Sequence, residues 1–200
     1  PIDGDTNKTK WVTYGAAGYY TIGSFDGKIF TPEFGQFRYV DGEFYAAQTY
    51  ENIPSEDGRQ IQIGWATIET PDMPFNMMMG FPTELTLRET ANGIRLFNEP
   101  ISEIEILHKN VRKYKNMTWE ETNERLKEQY PDMLHLKMIL EPISAGTFNL
   151  RIGSDYLGYE WYNNKFNYNE REYNYDRELG RKELTLEIIV DRTSIEVYVD

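Results

Sequence analysis

Two carboxylates set two positions apart, Asp41 and Glu43, open a run that is otherwise aromatic and small: Asp41-Gly42-Glu43-Phe44-Tyr45-Ala46-Ala47. On a strand, a spacing of two puts both acidic side chains on one face. Such a pair could accept hydrogen bonds from the hydroxyls of a neutral ligand. Phe44 and Tyr45 follow at once, and Trp65 comes on a later strand, where its ring could wall the same ligand. A plainer account fits the same residues. Gly42 between the two carboxylates marks a solvated turn, and Trp65 serves equally as a core aromatic. Both accounts stay open on the residues alone. His108 and His135 are the only histidines and fall in unrelated segments. They read as surface or strand residues, and no metal site is expected from them. With no cysteine in the chain there is no disulfide framework, no thiolate chemistry and no Cys-based zinc site. No cofactor is expected.

The elements that must position these residues are strands. Phe44 to Tyr50, Gln60 to Trp65 and Glu84 to Arg88 are rich in Tyr, Ile and Thr and are separated by Gly, Pro and Asp. Short turns between them predict an antiparallel meander. The first strand is the least polar, which predicts that it is buried on both faces. Upstream, Trp11 to Tyr14 and Tyr19 to Ile22 flank Gly15-Ala16-Ala17-Gly18 as a hairpin. Asp26-Gly27 supplies the positive φ of a second turn, and Pro32 is expected to end the strand that begins at Ile29. Asn92-Gly93 predicts a type I′ turn between Arg88 and Ile94. Met77-Met78-Met79 could line a groove, but the simpler expectation is that it fills a seam between blades or domains.

Pro100 marks a change of style, with a charged linker beyond it. Thr118-Trp119-Glu120-Glu121 has the pattern of a capping box, so a short helix is predicted over Trp119 to Gln129. Trp119, Thr122, Leu126 and Tyr130 would share one face of it, and Pro131 would close it. Further strands are predicted at His135 to Glu141, Thr147 to Ile152, Tyr156 to Trp161, Glu183 to Asp191 and Ser194 to Val199. Asn163 to Arg177, dense in Asn, Tyr, Glu and Lys, reads either as a decorated hairpin, whose Asn and Tyr could meet a ligand, or, more simply, as a solvated, variable loop.

Two hundred residues allow one large or two smaller β domains, each with a real core. A net charge of −12 argues against nucleic acid or an anionic membrane surface as partner. It suits a neutral substrate. No apolar run is long enough to span a bilayer, and no signal-peptide pattern opens the chain. The chain begins at Pro1 within what reads as a loop, as an excised or processed piece would.

Several strings together carry a family resemblance: Phe44 to Tyr50 (FYAAQTY), Asp57 to Trp65 (DGRQIQIGW) and Met73 to Arg88 (MPFNMMMGFPTELTLR). They resemble the last propeller blade of glycoside hydrolase family 32, which holds invertases, inulinases and levanases acting on β-fructofuranosides. Lys10 to Gly15 and Ile22 to Gly27 resemble the blade before, and Asp191 to Val197 resembles a strand of the family's C-terminal β-sandwich. The resemblance implies an all-β fold: residues 1–100 as the C-terminal part of a five-bladed β-propeller, residues 101–200 as a β-sandwich cut short at its C-terminus, and one short helix near the linker. It implies cleavage of terminal β-D-fructofuranosyl bonds in fructans or sucrose. Such a reaction uses two carboxyl groups about 5 Å apart. The family's Asn-Asp-Pro-Asn, Arg-Asp-Pro and Glu-Cys strings are all absent. The catalytic carboxylates are therefore expected upstream of Pro1, in a missing N-terminal half of the propeller, and this chain alone is expected to be inactive. Substrate contacts are expected from Asp41, Glu43, Phe44, Tyr45 and Trp65, where the innermost strand begins. The usual Asp-aromatic-Gly group before that strand is replaced here by Tyr39-Val40-Asp41-Gly42-Glu43. The Met-rich string resembles exo-acting fructan hydrolases more than plant invertases; the linkage, β-2,1, β-2,6 or that of sucrose, stays open. A secreted, periplasmic or cell-surface bacterial location is implied, with a cytoplasmic one left open. The alternative is a stand-alone carbohydrate-binding module using aromatics around Trp161 and Tyr162.

Overall fold

Alternating β-branched and aromatic residues between Gly-containing turns build antiparallel hairpins along almost the whole chain. The structure is a computed structural model and describes residues 1–129, 133–141 and 146–200. The chain divides into two units, Pro1–Glu105 and Ile106–Asp200.

In the first unit, β1 (Trp11–Tyr14), β2 (Tyr19–Phe25) and β3 (Phe30–Arg38) form one antiparallel sheet in that order. The second sheet holds β4 (Phe44–Thr49), β5 (Ile61–Ala66), β7 (Thr83–Thr90) and β8 (Gly93–Pro100) in the order β4-β5-β7-β8, with β6 (Met78–Met79) also on β5. Tyr20 and Ile22 from β2 meet Leu87 and Leu96 from β7 and β8, with Ile2 beside them, in one buried cluster. The Tyr20 hydroxyl accepts the Leu96 N–H at 3.0 Å, so the one polar atom of a buried ring also joins the sheets. Arg59 grips Asp57 and Glu103 at 2.7 and 2.8 Å, tying the β4–β5 turn to the 3-10 helix Ser102–Leu107.

Four expectations need correction. Phe44 to Tyr50 is a strand as far as Thr49, but it is not buried on both faces. It has one ladder partner, β5, and a bulge at Ala46 (φ 43°) breaks its alternation, so Tyr45 and Ala46 both turn outward. Pro32 does not end its strand. It sits inside β3, which among the described residues pairs with β2 alone, and such an edge strand is where proline is tolerated. The turn after β7 is not type I′ on Asn92-Gly93: Ala91 and Asn92 lie between the paired Thr90 and Gly93, and the positive φ (94°) falls on Gly93. The Thr90 hydroxyl closes this loop, donating to the Gly93 carbonyl at 2.7 Å and accepting the Asn92 N–H at 3.1 Å. Of the two readings of Asn163 to Arg177, the hairpin holds and the solvated loop does not, since the run contains two paired strands of the second unit.

That unit is built from β9 (Leu134–Leu140), β10 (Thr147–Ile152), β11 (Asp155–Glu160), β12 (Lys165–Tyr168), β13 (Arg171–Asn174), β14 (Leu184–Val190) and β15 (Ile195–Val199). β10 to β13 form a four-stranded meander, and β15-β14-β9 a second sheet. Both contribute to one core: Phe148, Leu150, Ile152, Leu157 and Tyr159 from the meander, Leu184, Leu186, Ile188 and Val190 from β14. Their period-two spacing is the pattern of strands with one face inward. The helix α1 (Trp119–Gln129) begins where the capping box places it. The Thr118 N–H donates to Glu121 Oε2 at 2.8 Å, and the Glu121 N–H donates to Thr118 Oγ1 at 3.2 Å. Asn123 then ties the helix to β10, donating to the Asn149 carbonyl and accepting the Arg151 N–H. The expected contributions of Tyr130 and Pro131 lie outside the described residues.

Candidate functional site

The five predicted site residues gather where β4 begins and β5 ends, but they do not share one surface. The register pairs Phe44 with Ala66 and Tyr45 with Trp65. Gly64 decides which way each ring points. It has no side chain, and the Phe44 ring lies over it, meeting Tyr39 edge-on at 6.2 Å between centroids. Phe44 is therefore half-buried packing. Burial pushes the Tyr39 phenol up, its hydrogen bond to Gln62 (3.2 Å) offsetting only part of the effect.

With Phe44 turned in, Tyr45 turns out on the opposite face. Its ring meets Trp65 at 6.3 Å and 67°, and the two are 49% and 37% exposed. This is the edge-to-face geometry that aromatic pairs prefer. Backbone bonds hold the pair in place: the Ala46 N–H donates to the Ala16 carbonyl at 2.8 Å and the Thr67 N–H to the Glu43 carbonyl at 2.9 Å. Trp65 also pairs through β6 with Met79, which is 50% exposed.

The carboxylates lie ahead of these rings, and they differ. Asp41 Oδ1 forms an ion pair with Arg38 Nε at 2.7 Å, while the Nε hydrogen is donated to the Val40 carbonyl at 3.0 Å and the guanidinium lies over the Tyr19 ring at 5.5 Å. Glu43 is exposed. The end of the β4–β5 pair thus presents two outward aromatic rings with acidic groups before them. Such a surface can stack on the apolar face of a ring and accept hydrogen bonds from hydroxyls.

Of Met77-Met78-Met79, Met79 stands exposed beside Trp65, since β6 adds a third strand there. A second grouping was not legible in the sequence. His108 and His135, read as unrelated, meet at 2.8 Å (Nε2 to Nδ1), and His135 Nε2 contacts Glu187 Oε1 at 2.8 Å. Lys137 Nζ lies 2.9 Å from the other oxygen of Glu187. Burial pushes the Glu187 carboxyl up, but the hydrogen bonds from His135 and Lys137 outweigh it and hold it below the usual range. No local spacing signals this chain, because its members come from three separate segments. Among the described residues, no three His, Cys, Asp or Glu side chains come together as a metal site.

Architecture and surface define the class: an all-β chain of antiparallel meanders with a single short α-helix among the described residues. Its residues 6–100 match the model of the glycosyl hydrolases family 32 N-terminal domain. Over that span the chain belongs to glycosyl hydrolase family 32. It is similar to a levanase of Bacillus subtilis, with 26% identity across 99% of this chain and 35% of that protein. An extracellular exo-inulinase of Meyerozyma guilliermondii is 38% identical over 34% of this chain and 15% of its own length. Among solved structures, the exo-inulinase from Aspergillus awamori superposes with a TM-score of 0.72 at 19% identity, over all of this chain and 48% of that one. A fructofuranosidase from Schwanniomyces occidentalis complexed with fructosylnystose follows with a TM-score of 0.59, also at 19% identity, over all of this chain and 49% of its own. The chain thus spans about half the length of these structures and about a third of the levanase. Among the described residues, no helix is long and apolar enough to cross a membrane.

Proposed function

We propose that this chain is part of a hydrolase that releases terminal β-D-fructofuranosyl units from a fructan or from sucrose. In this reading residues 1–100 complete a five-bladed propeller and residues 101–200 form a β-sandwich. Asp41, Glu43, Tyr45 and Trp65 contact the sugar, with Phe44 holding Tyr45 outward from beneath. The two carboxyl groups of a retaining mechanism, about 5 Å apart, come from the remainder of the propeller. The enzyme is secreted, and its substrate is neutral, in keeping with a chain of net charge −12.

The observation that carries the proposal is the outward Tyr45–Trp65 pair at the start of β4, in a chain whose whole length follows the fold of an exo-inulinase. A surface of two half-exposed rings with acidic neighbours suits a polyhydroxylated ring better than it suits an anion. The other reading, a stand-alone carbohydrate-binding module around Trp161 and Tyr162, has less to stand on. The Trp161 ring is engaged by Tyr159 at 4.8 Å and by the Arg177 guanidinium at 5.2 Å, and Tyr162 alone is open, at 68% exposure.

Fructose release decides the matter. The pure 200-residue chain is expected to release none from sucrose, levan or inulin, whereas the chain joined to the remaining half of the propeller releases it. In that longer protein Asp41→Ala, Glu43→Ala and Trp65→Ala are each expected to lower kcat/KM about tenfold, the worth of one charge-assisted hydrogen bond or one ring contact. Three variants with unchanged kinetics and unchanged melting would overturn the assignment. Turnover by the 200-residue chain alone would overturn the division of labour.

A further inference from the structure

Charge is unevenly spread along this chain. Four of its 21 Lys and Arg residues, Lys109, Arg112, Lys113 and Lys115, fall within seven positions, so a chain of net charge −12 carries one locally cationic stretch. No carboxylate stands between Ile106 and Thr118. Every residue from Ile106 to Asn116 is exposed. Among the cations stand Ile106, Leu107, Val111 and Tyr114, open to solvent at 82%, 69%, 63% and 50%. Single exposed apolar side chains are ordinary, whereas a series of them interleaved with cations marks a surface that meets something.

Between His108 and Met117 no residue belongs to a helix or strand, yet the stretch is fixed at two points. His108 Nε2 meets His135 Nδ1 on β9 at 2.8 Å. Further along, the Arg125 guanidinium of α1 lies 6.0 Å from the centre of the Tyr114 ring. The stretch is thus a strap held on the second unit. Its acidic neighbours are mostly engaged elsewhere. Glu103 is gripped by Arg59 at 2.8 Å, Glu121 accepts the Thr118 N–H at 2.8 Å, and Glu124 pairs with Lys127 at 2.5 Å. Glu105 and Glu120 also flank the strap, two charges against four. Among the described residues, Lys109, Lys113 and Lys115 have no carboxylate partner.

We infer that residues 106–115 dock on an anionic lipid surface, with the cations at the headgroups and Ile106, Leu107, Val111 and Tyr114 entering the boundary with the acyl chains. The chemistry of the strap selects this partner. A soluble polyanion would engage the cations and leave four apolar side chains in water, whereas the headgroup boundary takes both kinds. The stems of Lys and Arg lie along apolar surface while their charged ends stay at the headgroups. The net charge of −12 argues against a membrane only at long range. Screening at physiological salt acts over about 8 Å, so at contact the local cations decide. Each basic residue close to an anionic leaflet strengthens binding about fivefold. The inference is independent of the sugar surface, since it concerns where the protein sits and not what it cleaves.

The test is flotation of the 200-residue chain with phosphatidylcholine vesicles, either pure or doped with phosphatidylglycerol. Binding is expected to the doped vesicles alone, and is expected to fall steeply as salt is added. Lys109→Gln, Lys113→Gln and Lys115→Gln together are expected to weaken it about a hundredfold, three steps of about fivefold each. Ile106→Ser with Val111→Ser is expected to weaken it about tenfold or more. Brominated acyl chains should quench Trp119, which is 41% exposed beside the strap, and Trp119→Phe should remove that quenching. The substituted strap positions are exposed, so melting is expected to stay unchanged. Lys28→Gln, an exposed cation of the first unit, is the control and should bind as wild type does. No flotation with the doped vesicles, or flotation that the triple Lys variant keeps in full, would overturn the inference. Equally tight binding of polyphosphate that Ile106→Ser with Val111→Ser leaves untouched would overturn it too, and would make the partner a soluble polyanion.

Discussion

Adding one methyl group at Gly64 tests the arrangement that turns Phe44 in and Tyr45 out. A Cβ on Gly64 would meet the Phe44 ring at three atoms, Cε2, Cζ at 2.6 Å and Cδ2 at 2.8 Å. The φ of Gly64 is not positive, so alanine carries no backbone strain there and the effect is steric alone. What stands in the way is the far end of a side chain, so the ring is expected to leave rather than the strands to part. The cost is then the packing that Phe44 gives up against Gly64 and Tyr39. Fully buried Phe→Ala changes cost about 3–5 kcal/mol, so a half-buried ring carries about 2 kcal/mol. Gly64→Ala and Phe44→Ala should each cost that much, lowering Tm by roughly 10 °C for a unit of this size. The double variant should cost no more than Phe44→Ala alone, because the added methyl group then has room. Independent sites would give a sum of about 4 kcal/mol, so the cycle should show a coupling of about 2 kcal/mol. Gly23→Ala is the control. Its Cβ would approach the Thr31 backbone carbonyl, which no side-chain truncation can clear. Urea denaturation of the four members of the cycle, with near-ultraviolet dichroism for the rings, measures all of this. Simple additivity of Gly64→Ala and Phe44→Ala would refute the packing argument, and with it the reason Tyr45 faces outward.

Two further outcomes are expected. Glu187 is 6% exposed and, in the folded chain, lies below its usual 4.5. Its stabilisation should therefore be complete above about pH 4.5 and be lost as the pH falls through the lower folded value. Melting curves from about pH 7 to about pH 3 check this, and Glu187→Gln should flatten the acid limb; an unchanged limb would mean that the His135 and Lys137 contacts contribute nothing. Thr118→Ala removes half of the capping box and should destabilise α1 by about 1 kcal/mol, seen as faster amide exchange over its first turn with β10 to β13 still protected.

What could be read along the chain was whatever depends on near neighbours. The helix was legible because Thr118 and Glu121 stand three apart and cap each other. Asp26-Gly27 was legible because Asp26 accepts the N–H groups of Lys28 and Ile29 while Gly27 takes the positive φ. Where a turn misled, at Asn92-Gly93, the Thr90 hydroxyl had captured the loop and shifted its positive φ onto the glycine.

Most strands, the helix, the family and the cluster of aromatic and acidic residues around Asp41 to Trp65 could be taken from the linear chain, because composition and period-two alternation act locally. Which of those rings face solvent could not. A bulge at Ala46 and a bare Gly64 send Phe44 inward and Tyr45 outward, and neither event has a signature in hydrophobic alternation. Folding in three dimensions also brought Met79 beside Trp65 and made neighbours of His108, His135 and Glu187. Such juxtapositions follow from strand pairing between residues far apart in the chain, where the energy of contact depends on register and not on spacing in the sequence.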